Sequence, residues 1–396
     1  MLRVLLVSEP GNAGVFRHVE TLARWLMRRG IVPDLAYSSR RGSDRLIQLV
    51  QEITTAGGHT LDLRTSNAPQ AADAPALMAL HAFVRRRRPA VIHAHSSKAG
   101  ALARALPLLG LRIPVLYTAH GYYGLTGKRG LKSTFYNAVE AVLGRIGRSI
   151  TLCQAETELA ASTLRIPRTS LHLVRNPVDA THFQPADAST RLAKRSELGV
   201  LDDTLLLGWV GRLAPQKDPL TLLRAFADKA VPAYVKLYLL GEGEMEAECT
   251  ALADQLGIAH RIIRRGYMTD PLPFYQTLDG LISTSAYEGC PYSLLEALAC
   301  DLSLLVSEAP GNIDFTTFGL SHCWSAPTAN ASAMAQRIAT WADDVGTKRP
   351  RNHRDIALRL FSEDECFGAI LREYETMAHA RDTDACQAWN MSTSQR

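Results

Sequence analysis

Residues 3–30 read RVLLVSEPGNAGVFRHVETLARWLMRRG, and this stretch decides the fold class. Residues 3–8 form an apolar run of the kind that a strand buried on both faces of a parallel sheet requires. A loop containing Gly11 and Gly14 follows, and residues 17–30 predict an amphipathic helix that ends at Gly30. Strand, glycine loop and helix together predict the first βα unit of an α/β protein.

The same alternation of short apolar strands and helical stretches continues along the chain. Further strands are predicted at residues 32–38, 90–96, 114–121, 149–154, 205–211, 235–241, 261–266, 280–285 and 302–307. The pattern predicts two tandem Rossmann-like domains, each built on a parallel sheet. Ligands of such sheets bind outside the carboxyl ends of the strands, so we expect a site in a cleft between two sets of strand ends.

Chain length and local composition set the expected domain boundaries. A chain of 396 residues exceeds the ~250–300 residues at which a single core stops growing. Residues 176–186 show neither helical nor strand period, so they predict a linker between an N-terminal domain of residues 1–175 and a C-terminal domain of residues 187–352. Residues 353–379 predict a closing helix, and the polar residues 380–396 predict a disordered tail.

Positive charge is concentrated in the first half of the chain. Residues 1–180 contain 24 Lys and Arg against 11 Asp and Glu, an excess of 13 positive charges, whereas the whole chain has a net charge of +5. Basic clusters lie at residues 28–29, 40–41 and 85–88. We therefore expect an anionic partner for one domain, and nucleic acid and an anionic membrane face are the two candidates.

Composition and cysteine pattern narrow the class of protein. The chain is 46% hydrophobic and 21% charged, as is ordinary for a globular protein. Its seven cysteines include no C-x-x-C pair, which argues against a disulfide framework or a zinc site and predicts a reducing compartment. Residues 1–14 lack a signal-peptide pattern, and the chain has no apolar run of the ~20 residues that a membrane-spanning helix requires.

Two glycine turns in the second half of the chain follow predicted strands. Residues 208–226 run from a strand through Gly211 to the cations Arg212 and Lys217, and then into a helix. Glycine lets backbone amides approach a ligand, and two cations beside a helix start suit a phosphate group. Acidic residues follow Gly241 and Gly243 in the second turn, which favours packing on a base or ribose over phosphate binding.

Residues 285–300 read SAYEGCPYSLLEALAC and place Glu288 and Glu296 at the two ends of a turn that opens a helix. Ser293 and Glu296 fit the S-x-x-E pattern of a capping box, which is sufficient by itself to explain Glu296. Glu288 lies outside the predicted helix, next to Gly289, and capping does not explain it. A carboxylate also accepts hydrogen bonds from ligand hydroxyl groups, so both interpretations stay open for Glu296.

In their order and spacing, these motifs resemble the retaining glycosyltransferases of family 4, whose GT-B fold consists of two Rossmann-like domains. The resemblance extends over roughly residues 1–375 and rests on residues 17–30, 91–106, 116–123, 151–158, 173–183, 208–217, 241–243, 285–300 and 307–315. HSSKAG at residues 95–100, followed by TAHG at residues 118–121, is most similar to one branch of that family. This branch builds bacterial exopolysaccharide, capsule or O-antigen on a polyprenyl-diphosphate carrier.

The resemblance implies a donor site in the C-terminal domain. Glu288 and Glu296 correspond to the first and last residues of the family's E-x7-E motif. Glu296 is implied to bind the ribose hydroxyls of the donor nucleotide, and Glu288 the hydroxyls of the donor sugar. Free amides at the helix start would face the diphosphate, with Arg212 and Lys217 as its cations. The implied donor set is Gly14, Gly211, Arg212, Lys217, Gly241, Gly243, Glu288, Ser293, Leu294, Leu295 and Glu296, and the implied catalytic set is His120, Glu288, Arg212 and Lys217.

The resemblance also implies acceptor contacts in the N-terminal domain. His120 is implied at the edge of the cleft, where it touches the donor sugar or the acceptor. The acceptor-binding candidates, which follow predicted strands, are Ser96, Ser97, Lys98 and Tyr122. Gly14 is expected in the loop under the donor phosphate, but the loop reads GNAG where the family usually has adjacent glycines. Which amide meets the phosphate therefore stays open.

The implied reaction transfers a sugar, with retention, from a UDP- or GDP-linked donor to a polyprenyl-diphosphate-linked glycan acceptor in cell-surface polysaccharide synthesis. Fixed positive charge at the diphosphate implies that the enzyme needs neither a metal nor a cofactor, and we interpret the D-x-D match at residues 382–384 as chance. We expect a cytoplasmic protein that docks on the inner face of the plasma membrane through residues 1–175 and binds no nucleic acid.

Three other functions would use parts of the same sequence. A nucleotide-sugar 2-epimerase of the same fold would bind the donor but would need no acceptor groove. A dinucleotide-dependent oxidoreductase requires G-x-G-x-x-G after the first strand, and GNAGVF at residues 11–16 does not match. A nucleic-acid-binding protein would use the basic half, but we find no nucleic-acid-binding motif.

Overall fold

The computed structural model describes residues 2–66, 70–71, 73–127, 130–201, 203–345 and 351–393, of which residues 13 and 382–393 are described by their backbone alone. The chain folds into two compact units. The first unit consists of the described parts of residues 1–152, 156–174 and 366–396, and the second consists of those of residues 153–155 and 175–365.

The first unit is built on a parallel sheet, whose strands in chain order are β1 Val4–Ser8, β2 Asp34–Tyr37, β3 Thr60–Asp62, β4 Val91–His95, β5 Val115–Thr118, β6 Arg148–Thr151 and β7 Leu171–Leu173. In space the order is β3-β2-β1-β4-β5-β6-β7. The helices that follow these strands are α1 Ala13–Arg28, α2 Asp44–Thr55, α3 Asp73–Arg87, α4 Ser97–Ala105, α5 Leu131–Leu143 and α6 Gln154–Glu158. The strand order reverses between β1 and β4, where Ser8 lies opposite His95.

The second unit repeats this architecture with the strands β8 Leu205–Val210, β9 Val235–Leu240, β10 Ile262–Arg265, β11 Gly280–Ser283, β12 Ser303–Ser307 and β13 Cys323–Ala326. Their order in space is β10-β9-β8-β11-β12-β13, so the reversal falls between β8 and β11. The helices are α7 Ala188–Glu197, α8 Pro219–Phe226, α9 Glu246–Gln255, α10 Leu272–Tyr275, α11 Tyr292–Ala299, α12 Ala331–Val345 and α13 His353–Leu360, and α14 Glu363–Thr393 follows.

Both cores are made by strands that are buried on both faces. In the first unit Leu5 and Ile92 are completely buried, and in the second unit Leu207 and Leu237 are as well. Helices cover both faces of such a parallel sheet, which is why its strands are continuous apolar runs. The predicted fold class, two tandem Rossmann-like domains with parallel sheets, is confirmed.

The sequence did not predict β3, β7 and β13, which have three or four residues each and contain few fully buried side chains. Helix α1 begins at Ala13, earlier than the predicted residue 17. Gly14 therefore lies in the first helical turn, which corrects the expectation that it lies in the loop.

The C-terminal region differs from the prediction of one helix over 353–379 and a disordered tail over 380–396. Two helices are present, and α14 continues through Thr393, while residues 394–396 lie outside the described residues. Residues 380–393 contain no glycine or proline, so nothing in this polar run stops a helix that has already formed. The buried side chains Phe367, Ile370 and Tyr374 fix α14 to the first unit.

None of the helices in the described ranges combines the length and the apolar composition that a bilayer span requires.

Candidate functional site

The polar groups of the second unit gather at the strand-order reversal between β8 and β11. Gly211, Arg212 and Lys217 follow β8, and Ser285 and Glu288 follow β11. Open α/β sheets bind ligands at such a reversal, because adjacent loops diverge there and leave a crevice.

Lys217 and Glu288 form an ion pair at this position. Lys217 Nζ donates to Glu288 Oε1 at 2.6 Å, and Ser285 Oγ donates to the same oxygen at 2.8 Å. Glu288 is 9% exposed, and Lys217 is partly buried. A partly buried ion pair that retains access to solvent can exchange partners when a ligand brings its own anion and hydroxyl groups.

Backbone contacts hold the two loops that carry this pair. Ala286 N donates to Gln216 O at 2.8 Å, and Gln216 Nε2 donates to Tyr287 O at 3.1 Å. Thr284 Oγ1 donates to Lys217 O at 3.0 Å. The pair is therefore held by the backbone of both loops as well as by its own charges.

A polar network that the sequence motifs did not indicate supports the loop after β11. Ser307 Oγ donates to Ser285 O at 2.6 Å, and Asn312 Nδ2 donates to Ser283 Oγ and Ser307 Oγ, both at 3.0 Å. Asn312 is completely buried. The sequence signal available for this network was position, since Ser283 and Ser307 are the last residues of β11 and β12, and Asn312 lies in the segment after β12.

Glu296 lies inside α11 and is 3% exposed. Its Oε2 accepts a hydrogen bond from the Tyr275 hydroxyl at 2.5 Å. The N-cap of α11 is Pro291, which has no side chain able to cap, so the capping box predicted for Ser293 and Glu296 is absent. Because α11 starts at Tyr292, Ser293 lies within the helix rather than at its cap.

The first bonds of α11 go to the Pro291 carbonyl. The amides of Leu294 and Leu295 donate to Pro291 O at 3.2 and 3.4 Å. These amides make the first bonds of the helix, and the expectation that free amides of this helix start face a diphosphate stays a prediction. The bond from Leu294 spans three residues, a kind that is common where a helix begins.

The glycines of the second unit let two loops pack backbone against backbone. A Cβ on Gly241, whose φ is +133°, would lie 2.0 Å from Gly211 O, and one on Gly243 would lie 2.3 Å from Leu213 O. Beside these loops Arg212 is exposed, and it makes no hydrogen bond or ion pair with any residue that the structure describes. Arg212 is thus a cation available to an incoming anion.

Histidines gather at the corresponding reversal of the first unit. His18 lies in α1, His95 ends β4, and His120 follows β5. Their ring nitrogens lie within 4.8 Å of one another, and His95 Nδ1 and His120 Nε2 form a hydrogen bond at 3.1 Å. The sequence motifs indicated only His120, although His95 is the last residue of β4 and His18 lies in the helix that follows β1.

Burial disfavours the protonated form of three histidines at this reversal, which are His93 in β4, His95 and His120. It lowers the pKa of His93, His95 and His120 well below the usual value of 6.5, because the charged form loses its hydration. Neutral imidazoles bind hydroxyl groups and can also ligate a transition metal, and His18, His95 and His120 have the spacing of a metal site among the described residues. The expectation of a metal-independent protein stays a prediction.

Glu156 fixes the loop that follows His120. Its Oε1 accepts from the amides of Gly121 and Tyr122 at 2.9 and 3.2 Å, and its Oε2 accepts from the amide of Leu152 at 2.6 Å. Burial raises the pKa of Glu156 to about 7. His120 itself has a φ of +57°, which is an uncommon backbone conformation for a residue with a Cβ. The three hydrogen bonds to Glu156, called the Glu156 clamp below, stabilise the backbone next to it.

The expected acceptor residues have different environments. Ser96, with a φ of +82°, precedes α4 directly, and Ser97 is exposed. Lys98 Nζ pairs with Asp73 at 2.8 Å. Tyr122 is only 2% exposed and packs in the core against Tyr117, which corrects the expectation that its side chain contacts an acceptor. The D-x-D match at residues 382–384 falls where only the backbone is described.

Two parallel-sheet units of this kind, each with polar groups at its strand-order reversal, define a protein of the GT-B fold. The structure resembles that of Anabaena HepE in complex with UDP, with a TM-score of 0.76, 17% identity, and coverage of 95% of this chain and 100% of that one. At this level of identity the likeness shows the fold alone.

Sequence comparison shows the family. Residues 12–182 match Glycosyltransferase Family 4, and residues 190–356 match Glycosyl transferases group 1. The chain belongs to glycosyltransferase family 4, as the sequence motifs predicted.

Two enzymes are among the relatives of this chain. The UDP-Gal:alpha-D-GlcNAc-diphosphoundecaprenol alpha-1,3-galactosyltransferase of Escherichia coli is 27% identical over 61% of this chain, and the match spans 63% of that enzyme, less than two thirds of its length. A Campylobacter jejuni N-acetylgalactosaminyltransferase, whose name specifies a diphospho-undecaprenol-linked substrate, is 30% identical over 27% of this chain and 29% of its own length.

Proposed function

We propose that this protein is a glycosyltransferase that moves a sugar from a nucleotide-sugar donor to a lipid-linked glycan acceptor in bacterial cell-surface polysaccharide synthesis. The observation that carries the proposal is the Lys217–Glu288 pair at the strand-order reversal of the second unit, with Arg212 exposed beside it. Two cations and one carboxylate in the same crevice suit two parts of a nucleotide sugar. The cations suit its diphosphate, and the carboxylate suits the hydroxyl groups of its sugar ring.

In this proposal, different residues of the second unit bind different parts of the donor. Arg212 and Lys217 bind the diphosphate, and Glu288 accepts hydrogen bonds from the donor sugar. Glu296, oriented by the Tyr275 hydroxyl, accepts from the ribose. Either UDP or GDP suits these contacts, and the UDP-Gal donor in the name of the Escherichia coli relative favours a uridine nucleotide.

The proposed chemical step is displacement at the anomeric carbon of the donor. A bond forms between an acceptor hydroxyl oxygen and this carbon, while the bond from the carbon to the phosphate oxygen breaks. The nucleoside diphosphate leaves with the bonding electrons, and its oxygen takes the proton of the acceptor hydroxyl. Arg212 and Lys217 stabilise the charge that develops on the leaving group, and front-face attack of this kind retains the anomeric configuration.

The acceptor side of the proposal rests on relatives and on the histidine group. Both relatives described above have names that specify a diphosphoundecaprenol-linked substrate. His120, held neutral by burial and supported by the Glu156 clamp, offers a hydrogen-bonding group to an acceptor hydroxyl or to the donor sugar. A lipid-linked acceptor would bring the working protein to a membrane surface.

A donor and acceptor screen tests the proposal. Purified protein is incubated with UDP- and GDP-sugars, with and without polyprenyl-diphosphate-linked mono- and disaccharides, and products are separated by mass spectrometry. We expect transfer with one donor, and proton NMR of the product should show the anomeric configuration of the donor. Conversion of the donor to its 2-epimer without an acceptor would contradict the proposal in favour of an epimerase.

A further inference from the structure

Glu9 is a buried carboxylate at the strand-order reversal of the first unit. It directly follows β1 and is 2% exposed, and the preceding residue, Ser8, is the register partner of His95 in β4. Its Oε2 accepts from Arg41 Nη1 at 2.7 Å. Its Oε1 is also buried, and it has no hydrogen-bond partner within the part of the chain that the structure describes. One oxygen of this carboxylate is therefore paired by the protein, and the other is not.

Folded proteins rarely leave a buried carboxylate oxygen such as Glu9 Oε1 without a donor. Such an atom has lost its hydration and has gained no hydrogen bond in return. Burial raises the pKa of Glu9 above the usual value of 4.5, although the charges of Arg41 and Lys98 oppose the shift. A hydroxyl group that donated to Oε1 would replace the lost hydration. The environment of Glu9 therefore suits a ligand that supplies a hydrogen-bond donor.

The loop that carries Glu9 is fixed by close backbone packing. Gly11 N donates to Arg41 O at 3.1 Å, and Ser43 Oγ donates to Gly11 O at 2.6 Å. A Cβ on Gly11 would lie 2.5 Å from Arg41 O, so glycine is what lets these two segments approach so closely. Glu9 is thus held in place by the backbone before any ligand arrives, as preorganised recognition requires.

The charges around Glu9 favour a neutral ligand. Lys98 and Asp73, whose charges reach Glu9, pair with each other at 2.8 Å. Together with the pair between Glu9 and Arg41, two cations therefore balance two carboxylates. The unpaired carboxylate oxygen would repel a phosphate group, and the neighbouring cations would repel a metal ion. The hydroxyl groups of a sugar are neutral, and each can donate a hydrogen bond.

A second buried oxygen lies at the end of the neighbouring strand. Ser96 directly follows His95 and has a φ of +82°, and its buried Oγ has no hydrogen-bond partner among the described residues. Glu9 and Ser96 follow paired positions of adjacent strands, which lie about 5 Å apart. His95 is itself bonded to His120, the group that we propose for the acceptor. Both unpartnered oxygens therefore belong to the same edge of the sheet as the histidine group.

We propose that Glu9 recognises the acceptor, with its Oε1 accepting a hydrogen bond from one hydroxyl group of the acceptor sugar. This inference rests on the proposed function, because it names a residue that selects the acceptor of that reaction. Glu9 takes no proton and forms no covalent bond; it orients the acceptor ring while its Oε2 stays paired with Arg41. An ordered water molecule on Oε1 is the competing occupant, and it would leave acceptor recognition independent of Glu9.

Acceptor binding by the full chain, measured by calorimetry without a donor, tests this proposal. The probes are water-soluble, short-chain polyprenyl-diphosphate monosaccharides, and N-acetylglucosamine is among them because the name of the Escherichia coli relative specifies it. We expect wild type to bind one probe, and Glu9→Gln to bind it at least about tenfold more weakly, since a charge-assisted bond is lost. Glu52→Gln, which breaks an ion pair with Arg24 in the same unit, is the matched control and should change binding less than about twofold.

Deletion of single hydroxyl groups from the probe separates recognition from a structural role of Glu9. The deoxy analogue that lacks the recognised hydroxyl should bind wild type about tenfold more weakly than the parent probe, but it should bind Glu9→Gln about as well as the parent does. Glu9→Asp, which keeps the charge beside Arg41 and retracts the carboxylate by one methylene group, should also lose sensitivity to that hydroxyl. Circular dichroism shows whether the variants are folded, and nucleotide-sugar binding should be unchanged in both.

Equal binding of every probe by wild type and Glu9→Gln would overturn the proposal, as would failure of wild type to bind any probe. Equal losses for each deoxy analogue in wild type and both variants would overturn it too, and would mean that Oε1 holds only water. Sugar transfer by Glu9→Gln with the acceptor KM of wild type refutes this inference alone. Glu9-dependent acceptor binding without transfer from any donor refutes the proposed function alone.

Discussion

Lys217 Nζ lies 2.6 Å from Glu288 Oε1, although 71 residues separate them in the chain. Each residue follows one of the two neighbouring strands at which the order of the second sheet reverses. The ion pair thus joins two loops that carry opposite charges into the same crevice. A donor would have to share Lys217 with Glu288, so its diphosphate and its sugar would meet groups that already orient each other.

Replacing Lys217 or Glu296 by alanine should remove donor use and leave the fold intact. Loss of a charge-assisted bond to a diphosphate or ribose should raise the barrier by ~2–4 kcal/mol, roughly a 30- to 1,000-fold fall in rate. Steady-state kinetics with the identified donor measure the effect. Lys229→Ala, a change at an exposed lysine of the same unit, is the control. Near-normal turnover by folded variants would show that the donor site lies elsewhere.

Catalysis should be independent of added metal. If Arg212 and Lys217 neutralise the diphosphate, excess chelator should leave the rate largely unchanged. Loss of activity that magnesium or manganese restores would count against these two cations as the source of charge stabilisation. Loss that only zinc restores, and that His18→Ala also produces, would instead locate a required metal at the histidine group.

Glu156 should make stability depend on pH. Its pKa is about 7 when folded, against an ordinary value of 4.5, so between these values the unfolded chain releases a proton that the folded protein keeps. The free energy of unfolding should therefore fall as the pH rises from 4.5 to 7, by about 2–3 kcal/mol for this group. Denaturant titrations of wild type and Glu156→Gln across this range measure the difference. Parallel curves for the two proteins would refute the assignment.

The buried histidines should have the opposite effect. The pKa of His95 lies well below 6.5 in the folded protein, so below pH 6.5 the unfolded chain binds a proton that the folded protein does not. Stability should be fully present above pH 6.5 and should fall as the pH drops below it. His95→Gln should flatten this decline, and thermal melts between pH 5 and 7.5 provide the measurement. An unchanged decline in the variant would mean that other groups cause it.

The sequence predicted the fold and part of the candidate site for a clear physical reason. A buried strand such as β1 or β8 is predicted by its own run of apolar residues, without knowledge of the rest of the chain. The glycine loop after each of these strands then indicates the carboxyl end of the sheet, where ligands bind. Arg212, Lys217 and Glu288 could therefore be assigned to one end of a sheet. The pairing of Lys217 with Glu288 could not, because it depends on β8 and β11 being neighbours, which is a property of strand order.

The errors have the same origin. His18 and His95 come together with His120 only because β1, β4 and β5 are consecutive in the sheet, although they are distant in the chain. The S-x-x-E pattern at Ser293 and Glu296 does not form a capping box, because Pro291 is the N-cap and the helix already starts at Tyr292. Local patterns compete with one another, and tertiary packing decides between them.

The backbone contact between Gly241 and Gly211 limits how this protein can diversify. A Cβ at position 241 would meet a carbonyl oxygen at 2.0 Å, and backbone cannot move aside as a flexible side chain can. Glu242 and Glu244 alternate with the glycines on the same loop, and both are exposed. Variation among descendants of this chain should therefore accumulate at positions 242 and 244, where new preferences for a nucleotide base could arise while the neighbouring glycines stay unchanged.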